Sequence, residues 1–150
     1  MRLARLAAAC LVLLVLALPA SVQANSSSER QMISQINKVR AGHGLHRLDR
    51  SSSLQRSSGR FAATLMSSDT FAHRARIAAS GRFHALGEAL AMRSGTAPNA
   101  RAALRSWLHS SAHRKIVLSS RASRLGVGVA SGSFRGSGAQ IWVLQVGRPR

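Results

Sequence analysis

The stretch "RLGVGVASGSFRGSGAQIWVLQVG", Arg124–Gly147, decides the fold. Its ends, "LGVGVA" and "QIWVLQVG", are dense in valine, isoleucine and tryptophan, residue types that suit a pleated and half-buried surface. The glycine-serine piece "SGSFRGSG" between them reads as a loop. Two β-rich runs joined by a glycine-containing connection predict an antiparallel hairpin with a longish loop. The glycines are not a phosphate cradle, because the lysine and the following helix of such a loop are missing.

Upstream of this tail the period is helical. "NSSSERQMISQINKVRAGHG" reads as a first helix. Ser28 and Gln31 make a capping-box pattern, Met32, Ile33, Ile36 and Val39 form the apolar stripe, and Gly42 or Gly44 ends it. "LHRLDRSSSLQRSSGRFAATLMSSD" contains a second helix, capped by Asp49 or Ser51, with Leu54, Phe61, Ala62 and Leu65 inward. Gly59 costs that helix about 1 kcal/mol relative to alanine, which suggests a close packing contact. "TFAHRARIAASGRFHALGEALAMRSG" has no clean period. It reads as loop, with short helical turns at 75–79 and 88–92. Pro98 suits the first turn of a third helix, "NARAALRSWLH", with Ala100, Leu104, Trp107 and Leu108 as its stripe. A short helical piece, "SAHRKIVL", follows. Helices first and strands last predict an α+β class, with helices packed on a small antiparallel sheet.

The N-terminus reads as a leader. Arg2 and Arg5 precede an apolar run, Leu6–Leu18, and Val22 and Ala24 stand where a signal peptidase reads. The run is about 13 residues, shorter than the roughly 20 that cross a bilayer. The expectation is a signal peptide over residues 1–24 and a single domain over 25–150, secreted or periplasmic. Removing Cys10 with the leader leaves no cysteine, so packing alone must hold the domain.

The whole chain has 22 basic and 4 acidic residues, net +18. Without Arg2 and Arg5, 20 basic residues face Glu29, Asp49, Asp69 and Glu88, net +16. Such a surface favours phosphates, anionic lipids and acidic polysaccharide. The arginines are scattered and there is little aromatic interleaving, which argues against nucleic acid as a specific partner.

Chemistry-bearing residues are few. His109 and His113 in "SWLHSSAHRKIVL" stand four apart, as helical metal ligands do. A zincin motif needs a glutamate after the first histidine, and Ser110 stands there instead. The pair by itself is therefore a weak metal signal. No nucleophile elbow is present.

Six pieces in order carry more information. They are "MISQINKVRAGHGLHRL" with Asn37 and Arg40, "FAHR" with His73, "LGEAL" with Glu88, and Trp107-Ser110-His113-Arg114, then "RLGVGVA" and "IWVLQVG". Their order and spacing resemble the CAP superfamily of cysteine-rich secretory, antigen 5 and pathogenesis-related 1 proteins, in its short bacterial-type SCP form. The resemblance runs from about Gln31 to Gly147. It implies an α-β-α sandwich with a small antiparallel sheet flanked by helices. It also implies a polar cavity cluster of His73, Glu88, Ser110 and His113, and a weak divalent metal site, zinc for instance, on His73, Glu88 and His113. Many relatives carry a glutamate where Ser110 stands, an asparagine where Ala89 stands and another where Ile116 stands. The chain thus keeps one carboxylate. Trp107 is expected in the core, and His109, His43, His46 and His84 at the surface.

Three functional readings follow. The first is a secreted binding or interaction module, its partner a lipid, a wall polymer or a protein. The second is a metal-assisted hydrolase. The third is a cationic protein acting on envelopes or membranes through charge.

Overall fold

The computed structural model describes residues 20–150. Helix α1 spans Ala20–Gly42 and α2 spans Ser52–Ser67. Helix α3 spans Ala100–His109 and α4 spans Ser111–Val117. The strands are β1 (Asp49–Arg50), β2 (Phe83–Ser94), β3 (Arg124–Phe134) and β4 (Ser137–Pro149). A 3-10 turn at Ser80–Arg82 leads into β2. Of the expected leader, residues 1–19 lie outside the described part, and Ala20–Ala24 begin α1. Among the described residues, no helix is long and apolar enough to cross a membrane.

The sheet order is β1-β3-β4-β2. The three long strands are antiparallel, and the two-residue β1 adds a parallel contact with β3 at Asp49–Arg124 and Arg50–Leu125. Helices cover both faces, so the class is α+β and the layering is the α-β-α sandwich. Leu125, Val127, Val129, Trp142, Leu144 and Val146 point to one face, where Met32 and Ile36 of α1 and Leu104 and Trp107 of α3 meet them. On the other face, Leu90, Ile141 and Val143 meet Phe61, Ala62 and Leu65 of α2.

Several local expectations need correction. Ser28 does not cap α1, which is already helical from Ala20; a capping box has no orphan N–H groups to satisfy inside a continuing helix. The piece at 88–92 is strand rather than helical turn. It lies in β2, and Glu88, Ala89, Leu90 and Ala91 are all buried because both faces of β2 are covered. A strand covered on both sides shows no alternation in its sequence. Residues 75–79 form bends and a turn rather than helix. Pro98 precedes the cap of α3 rather than entering its first turn; Asn99 caps it, its side-chain oxygen accepting from Ala102 N at 2.9 Å.

The hairpin connection is shorter than expected. Strands β3 and β4 run into "SGSF" and "SGAQ", leaving only Arg135 and Gly136 as the turn. Both have positive φ, 50° and 79°, the geometry that matches strand twist in two-residue hairpins. Asp69 anchors this turn, its carboxylate accepting from Arg135 N at 2.6 Å.

The motif residues Asn37 and Arg40 act as struts. The Asn37 side chain accepts from Leu48 N at 2.9 Å and donates to Leu48 O at 3.1 Å. Arg40 is fully buried. It donates to His46 O at 3.0 Å, Val117 O at 2.8 Å and Ser119 O at 3.0 Å, tying α1 to the C-terminal end of α4.

Candidate functional site

Strand β2 lies at the sheet edge, and its register places Glu88 beside Gln145 of β4. Both are buried. The Gln145 amide donates to Glu88 Oε2 at 2.8 Å. The other carboxylate oxygen, Oε1, lies 3.0 Å from Nδ1 of His73. The contact engages Nδ1 of His73 and leaves Nε2 as the ring nitrogen outside it. His73 belongs to the segment between α2 and the 3-10 turn. Its neighbour Arg74 holds that segment down by stacking 3.6 Å over the Phe61 ring of α2.

The second imidazole comes from α4. Ser110 ends α3 and caps α4, its hydroxyl accepting from His113 N. Helix α4 packs on β2 through Ile116, which closes over Gly87; a Cβ on Gly87 would lie 3.2 Å from Ile116 Cγ2. This seat brings the His113 ring to 6.4 Å from the His73 ring, centroid to centroid, at 47°. Burial pushes the His113 pKa below its ordinary 6.5, and the nearby His73 adds to the effect. His113 is therefore neutral at neutral pH.

Of the four expected cluster residues, His73 is in contact with Glu88 and its ring neighbours that of His113, so His73 stands between the other two. Ser110 sits at the α3–α4 junction with its hydroxyl engaged as a cap. Glu88 is buried while the His73 side chain is half exposed, so one side of the cluster is open to solvent. Trp107 is fully buried in the core as expected. His109 is exposed, its Nδ1 2.8 Å from Arg105 O, one turn back on its own helix. His46 is exposed, yet its Nε2 lies 2.7 Å from Ala122 O.

Gln145 is the site residue that sequence reasoning missed. The signal was present: Gln140 and Gln145 are the polar residues of the otherwise apolar run "AQIWVLQVG", and a polar residue inside a two-sided core strand marks a buried partner. Gln140 serves elsewhere. It accepts from Trp142 Nε1 and Asn99 N, both at 2.7 Å, and fixes the loop before α3.

The donor set is not the three-ligand metal site expected on His73, Glu88 and His113: Glu88 lies against Nδ1 of His73, where carboxylates orient ligating histidines. It does not fit a closed structural zinc site: among the described residues, no three histidine, cysteine, aspartate or glutamate side chains converge on one point.

The profile of the cysteine-rich secretory protein (CAP) family matches residues 33–146. No curated protein matches the chain at a significant level. Among solved structures, an extracellular SCP-domain protein from Bacillus anthracis superposes with TM-score 0.71 at 20% identity. It covers 85% of this chain, which spans only 42% of that protein. An outer surface protein from Borrelia burgdorferi gives 0.68 at 17% identity, covering 83% of this chain and 94% of its own. A cysteine-rich secretory protein from Staphylococcus aureus gives 0.59 at 18%, covering 81% of this chain and 40% of its own. With the profile matched from α1 to the end of the sheet, and the fold shared with solved members, the chain belongs to the cysteine-rich secretory protein (CAP) family.

Proposed function

We propose that the domain is an extracytoplasmic binding module whose polar site is the His73–Glu88–His113 cluster. The observation that carries this reading is the Glu88–His73 hydrogen bond at 3.0 Å, with the His113 ring facing it. A buried carboxylate held by Gln145 and His73 is a pre-organised group, and the exposed side of His73 gives a ligand access. The leader-like N-terminus and the extracellular or outer-surface origin of similar structures support a place outside the cytoplasm.

Within this reading, His73 Nε2 and a ring nitrogen of His113 take a divalent cation such as zinc weakly, and Glu88 orients His73. A bound zinc would supply Lewis acidity, but a hydrolase of the usual kind holds it with three protein ligands, and this cluster offers two. The binding reading is therefore preferred to the enzymatic one.

Zinc titration into tag-free protein tests the site. Binding is expected at pH 7.5 and is lost at pH 5.5, because protons compete for the imidazole lone pairs. Either His73→Ala or His113→Ala should abolish it, and His109→Ala should not. Loss of binding in His109→Ala with retention in His73→Ala would move the site to the exposed face of α3.

A further inference from the structure

A groove of about 360 Å³ runs between α1 and α3. Val39 of α1 and Leu104 and Leu108 of α3 line it with hydrocarbon. Leu104 belongs to the core, while Val39 and Leu108 pack against the core and stay half-buried. Lys38, Arg101, Arg105 and His109 line the same groove, and all four are exposed.

The spacing of the basic groups narrows the choice of ligand. Arg101, Arg105 and His109 stand four residues apart along α3, about one helical turn each. At a rise of 1.5 Å per residue the row is about 12 Å long. A single anionic head group cannot contact both ends of such a row. Carboxylates set at the same pitch can, and a helix with acidic residues four apart presents them that way. A neighbouring apolar stripe on that helix would then lie on Val39, Leu104 and Leu108, as amphipathic helices lie in apolar grooves.

This chain does not supply such a helix. It has only four acids, and each is engaged elsewhere. Asp49 pairs with Arg124 and Asp69 holds the hairpin turn. Glu29 accepts from Gln55 and Val129, and Glu88 from His73 and Gln145. A second copy would bring the same cations against the same groove. Among the described residues, no carboxylate lines the groove. We infer that the α1–α3 groove docks an acidic amphipathic helix of another protein, its carboxylates along Arg101, Arg105 and His109 and its apolar side chains on Val39, Leu104 and Leu108. The volume is at the lower end of the about 300–1,000 Å³ of small-molecule sites, room for a few side chains while the partner's backbone stays outside. No lining residue belongs to the His73–Glu88–His113 cluster, so failure here would leave the zinc reading standing.

Two synthetic peptides of one composition test it. In the first, glutamates recur every fourth residue beside a stripe of leucines; in the second, the same residues are scrambled. Fluorescence anisotropy should show tighter binding of the patterned peptide. Surface ion pairs contribute up to about fivefold each, so Arg101→Gln/Arg105→Gln should weaken that binding about tenfold. Arg56→Gln/Arg60→Gln removes two exposed arginines with the same spacing from α2, on the other face of the sheet, and should change it little. Gln35→Trp fills the groove from α1 without changing charge. It should weaken the patterned peptide and leave polyglutamate binding unchanged. Unchanged melting temperatures verify that the variants are folded. Equal binding of the two peptides, equal losses in the two arginine pairs, or indifference to Gln35→Trp would reduce the effect to net charge and overturn the proposal. Displacement of the patterned peptide by monomeric lauric acid at lower concentration than by unlabelled peptide would assign the groove to a single-headed amphiphile, and overturns it equally.

Discussion

The two faces of the sheet are packed by opposite means. On the α1–α3 face, large side chains interlock, with Trp107 and Trp142 both fully buried. On the α2 face, helix and strand backbones touch. A Cβ on Gly126 would overlap the backbone of Leu54 and Gln55, and one on Gly128 would overlap Ser58 and Gly59. Side-chain packing can redistribute volume when one residue changes. Backbone against backbone has no side chain to move, so the helix itself must shift.

This contrast orders the expected effects. The largest is Gly128→Ala. Overpacking commonly costs about 1–3 kcal/mol, and here the cost should exceed that range, because α2 must lift off β3 and strip cover from Leu90, Ile141 and Val143. Denaturant unfolding checks it; a midpoint near wild type would show that the close approach is dispensable. Next comes Trp107→Ala, on the side-chain face. Truncating a buried tryptophan costs about 3–5 kcal/mol, and partial collapse of its alanine and leucine neighbours should keep the loss below that of Gly128→Ala. A reversed ranking would break the comparison.

Gly59→Ala runs the other way. A Cβ on Gly59 meets nothing within 4 Å, although its Cα, with the Ser58 carbonyl, is among the atoms a Cβ on Gly128 would strike. The substitution should stabilise α2 by up to about 1 kcal/mol, through helix propensity and the unfolded state. Thermal melting in parallel with Gly128→Ala sharpens the point: two glycines facing one another, one required and one replaceable. The close contact expected from Gly59 is present, but the glycine it requires is on the strand.

The smallest effect concerns pH. The folded His113 pKa lies below its ordinary 6.5 because of burial and then His73. Above 6.5, His113 is neutral in both states and its contribution is fully present. As pH falls below 6.5, the unfolded chain takes up the proton first, and stability is lost down to the folded pKa. With a chelator present, wild type should lose more melting temperature than His113→Gln between pH 7.5 and pH 5.5. Equal losses would mean that the ring senses no burial.

What could be read along the chain was whatever local chemistry controls. The stripe of α2, its Ser51 cap, the two helical pieces around Ser110 and the β-rich tail are set by neighbours a few residues apart. Strand β2 was not legible, because its run of buried residues owes its shape to layers on both faces. The hairpin turn was misjudged because glycine and serine suit a loop and a strand alike, and only pairing chose Arg135 and Gly136. For the site, the ordered motif pieces named His73, Glu88 and His113, which lie 15 and 25 residues apart in sequence. No local rule says what those residues do there. Register alone puts Gln145 beside Glu88, and the seat of Ile116 on Gly87 turns His113 toward His73. The sequence by itself determined the element types and the list of chemically able side chains. The tertiary structure decided which of them share atoms, because hydrogen bonds of about 3 Å depend on strand register and helix seating that arise only when the layers close.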